Sequence, residues 1–298
     1  NVNYKYLFKN FLFNKNEIIK EFYTDFRKDQ NSKSIKKKPY RIWIFGLPKS
    51  GTTLVEQIMD QLPYIRVDRS VLRKFSNKDL LDNKNYKKYL NFFPENKFSY
   101  LKTHLEFDIS MVSYLKSQNY KIIVTLRDIR DAMISRYFHI KNDKNHWQHE
   151  VVKNENFEKG FLDSLVKKTE KFPKNVNFVE PLKYYYDWIL NWKNIEDKKI
   201  IKLWFESYNS SPLQYIKNIL TLTKFNNYDE KQIFELIKIK NSKDKNKTFA
   251  QRIKSKNRNL STFRSGKSGE WKELFTRNIE KEFLIKLPND LNKVINNQ

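Results

Sequence analysis

At 298 residues, with 39% hydrophobic and 15% aromatic side chains, the chain can bury a sizeable core and is typical of a packed globular protein. It has no cysteine, which excludes disulfides and thiolate metal sites and fits a reducing compartment. No apolar run approaches the roughly 20 residues that a membrane-spanning helix needs. We therefore expect a cytoplasmic protein without a membrane span.

The formal net charge of +25 raises the question of nucleic-acid binding. The positive residues are mostly lysines, and they are spread along the whole chain rather than gathered in one segment. The short run Lys36–Lys38 is interpreted as a solvated lead-in to a strand. A basic nucleic-acid-binding protein is thus an alternative hypothesis, and the favoured interpretation has no nucleic-acid partner.

Strands and helices alternate along the chain. Four runs rich in apolar and β-branched residues are predicted as strands: Arg41–Gly46, Phe98–His104, Tyr120–Arg127 and Lys199–Phe205. Helices are predicted from Thr52 to about Gln61, from about Asp108 to Ser117, from Asp128 onward, around Leu182–Ile195, after Ser211 and over Ile279–Val294, with a polar, loop-like region at Asn241–Gly269. The alternation predicts an α/β fold: a single domain over residues 1–298 with a mainly parallel central sheet flanked by helices.

Polar residues follow three of the predicted strands. A loop containing Lys49 follows the first strand, Lys102 and His104 close the second, and Arg127 ends the third. Open parallel sheets bind ligands at the carboxyl edge of their strands. These side chains are therefore expected to meet at one rim.

The run GLPKSGTT (Gly46–Thr53) indicates an anion-binding loop. Its glycines let the backbone turn with N–H groups facing inward, and the following helix presents its positive N-terminal end. Lys49 adds a mobile charge, and Thr52 and Thr53 add hydroxyl donors. In the ATP-type loop G-x-x-x-x-G-K-[ST] the lysine follows the second glycine directly, where this chain has Thr52. A P-loop kinase of small molecules is therefore the less favoured alternative.

Four ordered sequence elements carry a family resemblance. GLPKSGTT is followed by YLKTHL (Tyr100–Leu105), then by TLRDIRDAMISRYFHI with Arg127 and, eight residues later, Ser135, and last by FRSGKSGEWKELFT (Phe263–Thr276). These elements resemble the 5′-phosphosulfate loop, the catalytic-histidine segment, the 3′-phosphate arginine and serine, and the glycine-rich cofactor segment of sulfotransferases that use 3′-phosphoadenosine 5′-phosphosulfate (PAPS). The motif-bearing core covers about 41–276 and is closest to the cytosolic branch. The resemblance implies a P-loop NTPase-like fold.

The resemblance also implies the cofactor and its contacts. PAPS would be the sulfuryl donor and 3′,5′-adenosine bisphosphate (PAP) the product, with no metal ion. The 5′-phosphosulfate would lie against Lys49, Ser50, Gly51, Thr52 and Thr53. The 3′-phosphate would lie against Arg127, Ser135 and Arg264, and the adenine against Phe205 and Phe249. Gly266 would contact the cofactor as part of the C-terminal glycine-rich segment. Structural alternatives stay open: an ion pair of Arg127 with Asp131, a helical Ser135 bonded to its own backbone, and core positions for both phenylalanines.

The catalytic roles are likewise implied by the family. His104 would be the general base for in-line transfer to a hydroxyl or amine of a small-molecule acceptor, since an imidazole changes protonation near neutral pH. Lys49 would offset charge on the bridging oxygen, and Lys102, on the same strand face as His104, would stabilise the transferring group. The other three histidines match no family position and are expected at the surface: His139, His146 and His149.

Overall fold

A parallel sheet forms the centre of the molecule. The structure is a computed structural model that describes residues 41–67, 86–90, 93–94, 97–144, 146–166, 180–245, 266–287 and 289–295. The strands are β1 (Arg41–Gly46), β2 (Ile65–Arg66), β3 (Ser99–Thr103), β4 (Tyr120–Leu126) and β5 (Ile200–Trp204). They lie in the order β2-β3-β1-β4-β5, and every neighbouring pair is parallel. The predicted α/β fold with a parallel sheet is confirmed.

Helices flank this sheet. They are α1 (Thr52–Met59), α2 (Tyr86–Leu90), α3 (Ile109–Ser117), α4 (Ile129–Asn142), α5 (His149–Val152), α6 (Phe157–Val166), α7 (Pro181–Lys193), α8 (Phe205–Ser210), α9 (Pro212–Thr223), α10 (Glu230–Lys245), α11 (Trp271–Leu274) and α12 (Arg277–Lys286). Asp108 caps α3 and Asp128 caps α4 by accepting backbone N–H bonds, which stabilises a helix by about 1 kcal/mol. Within the described part of the chain, no helix is both long and apolar enough to cross a membrane.

Two hydrophobic layers cover the sheet, because successive strand residues point to opposite faces. On one face Trp43 and Phe45 stack with ring centroids 5.5 Å apart and pack against α4, α6 and α7. On the other face Ile42 and Ile44 pack against α1, α9 and α10. All four side chains are fully buried, which explains the unbroken apolar run ahead of the loop.

The position of β1 in the middle of the sheet gathers the polar strand ends. Its register pairs Phe45 with Thr103 of β3 and Gly46 with Thr125 of β4. The loop after Gly46 therefore lies between His104, which follows β3, and Arg127, which follows β4. The polar residues that follow β1, β3 and β4 therefore meet at one edge of the sheet, as expected.

Two of the sequence expectations about helices were wrong. Asn241, placed in a polar loop, belongs to α10. Ile233 and Ile237 bury one face of this helix in the hydrophobic layer that includes α1 and α9, and the Gln57 Nε2 atom donates to Asn241 Oδ1 at 2.9 Å. The last helix was expected to run to Val294, but α12 ends at Lys286. Proline at position 288 disfavours helical backbone in the residue before it.

Candidate active site

The loop between β1 and α1 is closed by its own hydrogen bonds. Ser50 donates its backbone N–H to the Leu47 carbonyl oxygen at 3.1 Å and its hydroxyl to the same oxygen at 2.8 Å. The Ser50 hydroxyl also lies 2.8 Å from Thr125 Oγ1 on β4. A Cβ at Gly46 would lie 2.0 Å from Thr125 Oγ1 and 2.3 Å from Thr52 Cγ2. Close packing under the loop therefore requires glycine at position 46.

Two residues of the loop have left-handed backbone. Gly51 has a φ of 97° and Lys49, which carries a side chain, has a φ of 74°. A left-handed residue other than glycine is uncommon and costs of order 1–3 kcal/mol, so it persists only where its surroundings impose it. Gly51 is also the N-cap of α1, and no side chain caps this helix. The first N–H groups of α1 therefore have no acceptor in the helix and form an anion-binding end.

Arg127 connects the loop to two other parts of the site. Its Nη1 donates to the Lys49 carbonyl oxygen at 3.1 Å, and its Nη2 donates to the Lys267 carbonyl oxygen at 3.0 Å. The guanidinium carbon lies 4.7 Å from the centre of the Phe205 ring. That ring also packs on Gly51, since Phe205 Cδ2 is 2.9 Å from where a Cβ would be. The structure thus brings Lys49, Gly51, Arg127 and Phe205 together.

The glycine-rich segment is held against α4 by an acidic residue. The Asp131 carboxylate accepts the backbone N–H of Gly269 at 2.5 Å and that of Trp271 at 3.1 Å. Burial raises the pKa of Asp131, while these hydrogen bonds and the charge of Arg127 lower it. Asp131 is therefore an anchor for this segment as well as an acidic neighbour of Arg127.

Two other predicted cofactor contacts, Ser135 and Gly266, belong to this side of the site. Ser135 is buried on α4, two turns beyond Arg127. Gly266 has a φ of 69°, in the region that favours glycine. Arg264 and Phe249 lie outside the described residues.

His104 is bonded to the first residue of the loop. Its Nδ1 atom lies 2.5 Å from the Gly46 carbonyl oxygen. Because a carbonyl oxygen can only accept, Nδ1 must carry the proton that forms this bond. In the neutral ring Nε2 then carries the lone pair, which is the state required of a base.

Residues 39–284 match the family described as "Sulfotransferase domain". The chain belongs to the sulfotransferase family. The predicted membership of the PAPS-dependent sulfotransferases and the predicted enzyme class are confirmed.

Two solved structures match most of the sulfotransferase. The mouse sulfotransferase SULT7A1 complexed with PAP has a TM-score of 0.56 and 19% sequence identity, covering 90% of this chain and 94% of that one. Retinol dehydratase in complex with androsterone and inactive cofactor PAP has a TM-score of 0.48 and 19% identity, covering 88% and 84%. Among curated proteins, no sequence matches significantly. The likeness to the mouse enzyme bears out the predicted P-loop NTPase-like fold.

Lys102 of the sulfotransferase forms an ion pair with a residue of α1, the helix that follows the loop. Its Nζ lies 2.7 Å from Oε2 of Glu56, a buried residue of α1. The other oxygen of Glu56 lies 3.7 Å from Arg66 Nη2. Lys102 thus links β3 to α1, and its role at the sulfuryl group stays a prediction.

A cluster of imidazoles, defined here as His139, His146 and His149, was missed at the sequence level. His149 is buried, and its Nδ1 donates to the Ile140 carbonyl oxygen at 3.0 Å, so its expected surface position was wrong. The rings of His139 and His146 are 5.9 Å apart, and that of His146 stacks on Trp147 at 5.5 Å. The sequence did contain one signal for this cluster: His139 follows Ser135 by four residues, which places both side chains on one face of α4.

The electrostatics connect the imidazole cluster to the loop. Burial lowers the pKa of His139, and the Lys49 ammonium lowers it further. Burial also lowers the pKa of His146 to about 3, with contributions from Arg136 and the two other imidazoles. Arg136 is itself buried and donates to the Ser164 carbonyl oxygen at 3.0 Å and to the Gln148 side chain. Positive potential therefore extends from Lys49 to this cluster.

Glu206 is a second residue that the sequence did not single out. Its Oε1 accepts the backbone N–H of Asp128 at 3.0 Å. Burial raises the pKa of Glu206 to about 7, although this hydrogen bond and the nearby Arg127 oppose the shift. A carboxyl group with a pKa near neutral pH thus lies close enough to Arg127 for the guanidinium charge to act on it. Among the described residues, no group of three histidine or acidic side chains could hold a metal ion.

Proposed function

We propose that this sulfotransferase moves a sulfuryl group from PAPS to a hydroxyl or amine of a small-molecule acceptor, with His104 as general base. The observation that carries the proposal is the contact between Arg127 and Lys49, at 3.1 Å through the Lys49 carbonyl oxygen. It ties the Arg127 guanidinium, at the next strand end, to the backbone of the anion-binding loop that carries the Lys49 ammonium. A ligand with two separate anionic groups suits such a pair.

The donor groups of the site fit PAPS. The uncapped start of α1, with Ser50, Thr52 and Thr53 beside it and the Lys49 ammonium, suits the 5′-phosphosulfate. Arg127 and Ser135 suit the 3′-phosphate, and the exposed part of the Phe205 ring suits the purine. The mouse relative, solved with PAP, supports this assignment. When bound, PAPS supplies an activated sulfuryl group.

Each of the three predicted catalytic side chains has a task in this proposal. His104 accepts the proton of the acceptor at Nε2, because Nδ1 is engaged with Gly46. Lys49 offsets charge that develops on the oxygen released from sulfur. Lys102, two residues before His104, contributes positive charge, while its ion pair with Glu56 fixes its position.

The acceptor is proposed to lie against His139 and His146, on the side of the imidazole cluster that faces Lys49. His139 is close enough to Lys49 for the ammonium to lower its pKa, and the His146 ring lies next to the rings of His139 and Trp147. Arg264, Gly266 and Phe249 are proposed to complete the cofactor site. A single domain over the whole chain and a cytoplasmic location stay predictions.

Calorimetric titration with three nucleotides tests the proposal. PAP should bind far more tightly than 5′-AMP or ADP, because each hydrogen bond to the charged 3′-phosphate contributes roughly 1.5–3 kcal/mol, or about tenfold or more in affinity. Removal of metal ions with EDTA should not weaken PAP binding. Radiolabelled PAPS with a panel of phenols, sugars and amines should then identify an acceptor. Tight ATP binding only with magnesium would favour the kinase. Equal affinity for PAP and AMP, or salt-sensitive binding of nucleic acid alone, would overturn the proposal.

A further inference from the structure

The left-handed backbone of Lys49 is held by hydrogen bonds to the carbonyl oxygens on both sides of it. The Lys49 carbonyl accepts from Arg127 at 3.1 Å. The preceding carbonyl, of Pro48, accepts from the Tyr185 hydroxyl at 2.8 Å. Arg127 is a proposed cofactor ligand, whereas Tyr185 lies on α7 and has no assigned role in the proposed reaction.

The bond from Tyr185 fixes the peptide plane between Pro48 and Lys49. In a trans peptide the C=O and N–H point in opposite directions, and no peptide bond in the described chain is cis. Because Tyr185 is buried on the core side, holding the Pro48 oxygen toward it directs the Lys49 N–H away from the core. The orientation of this plane sets the φ of Lys49 and hence where its side chain leaves the loop.

The Tyr185 hydroxyl can serve only as the donor to this carbonyl. Burial raises its pKa above the ordinary value for tyrosine, so the proton stays on the oxygen throughout the working pH range. The ring packs in the same hydrophobic layer as Trp43 and Phe45, so the core rather than the loop fixes its position. A rigid donor thus acts on a strained residue from the core side.

We propose that Tyr185 is a positioning residue that sets the conformation of Lys49 for the transfer step. The inference rests on the proposed function, because it takes Lys49 as the side chain that offsets developing charge. Loss of the hydroxyl should leave the ammonium in place but poorly aimed. A misplaced catalytic group lowers turnover more than it lowers ground-state binding.

The neighbouring Tyr186 supplies a matched control. It is as buried as Tyr185, and its hydroxyl also donates to a backbone carbonyl, that of Asp290, at 3.0 Å. Tyr185→Phe and Tyr186→Phe therefore each delete one buried hydroxyl and one hydrogen bond from the same helix. Only the first deletion reaches the loop.

The experiment measures kcat, the KM for PAPS and the melting temperature of both variants. Tyr185→Phe should lower kcat by about tenfold to a hundredfold with a much smaller change in KM, and Tyr186→Phe should lower neither. In a Lys49→Ala background, Tyr185→Phe should have no further effect on kcat, because the group it positions is gone. If Tyr185→Phe does not fold, Tyr185→Met, which fills the space without a donor, supplies the same comparison.

The outcomes separate the two proposals. Equal kcat values for Tyr185→Phe and Tyr186→Phe, or independent effects of Tyr185→Phe and Lys49→Ala, would overturn the positioning role while the sulfuryl transfer itself stands. A wild-type enzyme that does not turn over PAPS with any acceptor would overturn the proposed function and the role of Tyr185 with it.

Discussion

The Nδ1 atom of His104 lies 2.5 Å from the carbonyl oxygen of Gly46. The imidazole that follows β3 is thereby tied to the residue at which β1 enters the anion-binding loop. No larger residue fits at position 46, since a Cβ there would meet Thr125 and Thr52. The proposed base and the loop are therefore held as one rigid unit, with Nε2 left to carry the lone pair.

Substitution of His104 separates its chemical role from this bond. His104→Ala should lower turnover by about 10²–10⁴, the usual contribution of a general base, and should leave PAP affinity nearly intact. His104→Asn keeps an N–H donor for the Gly46 oxygen but has no basic nitrogen, so it should be as inactive as the alanine variant. Turnover with a good acceptor and calorimetry with PAP give the two quantities.

His149 provides the control for this prediction. Its Nδ1 also donates to a backbone carbonyl, that of Ile140, at 3.0 Å, and His149→Asn preserves that donor. This variant should keep most of its turnover. An active His104→Asn enzyme would show that the Gly46 bond, rather than proton transfer, is what His104 contributes.

Lys49 combines a functional charge with a strained backbone. Lys49→Ala should lower both PAPS affinity and turnover, and Lys49→Arg should not restore them fully, because a planar guanidinium fits a tight turn differently from an ammonium. Lys49→Gly should lose activity in the same way, yet it should unfold at the same or a higher temperature, since glycine adopts a φ of 74° without strain. Full activity of Lys49→Arg would show that diffuse positive charge is sufficient.

Lys224 tests whether strain alone accounts for the result. It has a φ of 59° at the end of α9 and is exposed. Lys224→Gly removes a comparable strain without touching the loop, so it should raise the melting temperature and leave turnover unchanged. Parallel losses of activity in both glycine variants would argue against a specific role of the Lys49 charge.

The strands and the loop could be predicted because their signals are local. The run from Ile42 to Phe45 is buried on both faces, which gives an unbroken apolar pattern, and Asp128 caps the helix that it precedes. Helix ends were less predictable. The last residues of α10 are polar, and the apolar periodicity of the helix ends before them. Asn241 was therefore predicted as a loop residue.

The contacts that hold the site in shape could not be predicted from local patterns. The Arg127 bond to Lys267 spans 140 positions and the Tyr185 bond to Pro48 spans 137. Arginine at a strand end and tyrosine in an amphipathic helix are common, and neither identifies its partner. The carbonyl oxygens that accept these bonds have no sequence signature. Tertiary packing alone decides which side chain reaches them.

Recognition of the 3′-phosphate can be tested at Ser135. Ser135→Ala should weaken PAP binding by about tenfold, as expected for one hydrogen bond to a charged group, and should change 5′-AMP binding little. Arg127→Ala should weaken PAP binding more strongly than Ser135→Ala. It removes a charged ligand of the 3′-phosphate and also the hydrogen-bond donor of the Lys49 carbonyl oxygen. Calorimetric titration of both nucleotides measures the ratio of the affinities.

A buried serine outside the proposed site controls for the loss of a hydroxyl. Ser164 on α6 donates to the Phe161 carbonyl oxygen at 2.7 Å, and Ser164→Ala should leave the PAP to AMP ratio unchanged. If Ser135→Ala also leaves it unchanged, Ser135 is a structural helix residue and the 3′-phosphate contact must be assigned elsewhere.

Glu206 should make the stability of the fold depend on pH. Burial raises its pKa from 4.5 to about 7, so between these values the folded chain holds a proton that the unfolded chain has lost. The free energy of unfolding therefore falls as the pH rises through this window. In Glu206→Gln the amide oxygen still accepts the Asp128 N–H, and nothing titrates.

From pH 5 to pH 8 the wild type should lose roughly 2–3 kcal/mol of stability relative to Glu206→Gln, at about 1.4 kcal/mol for each unit of pKa shift. The variant should therefore melt at a higher temperature than the wild type at pH 8 and at a similar temperature at pH 5. Glu280→Gln, which changes an exposed residue of α12, should follow the wild type at both values. Thermal denaturation at the two pH values measures all three proteins. An unchanged difference between wild type and Glu206→Gln at pH 5 and pH 8 would show that Glu206 is ionised in the folded state throughout, stabilised by Arg127.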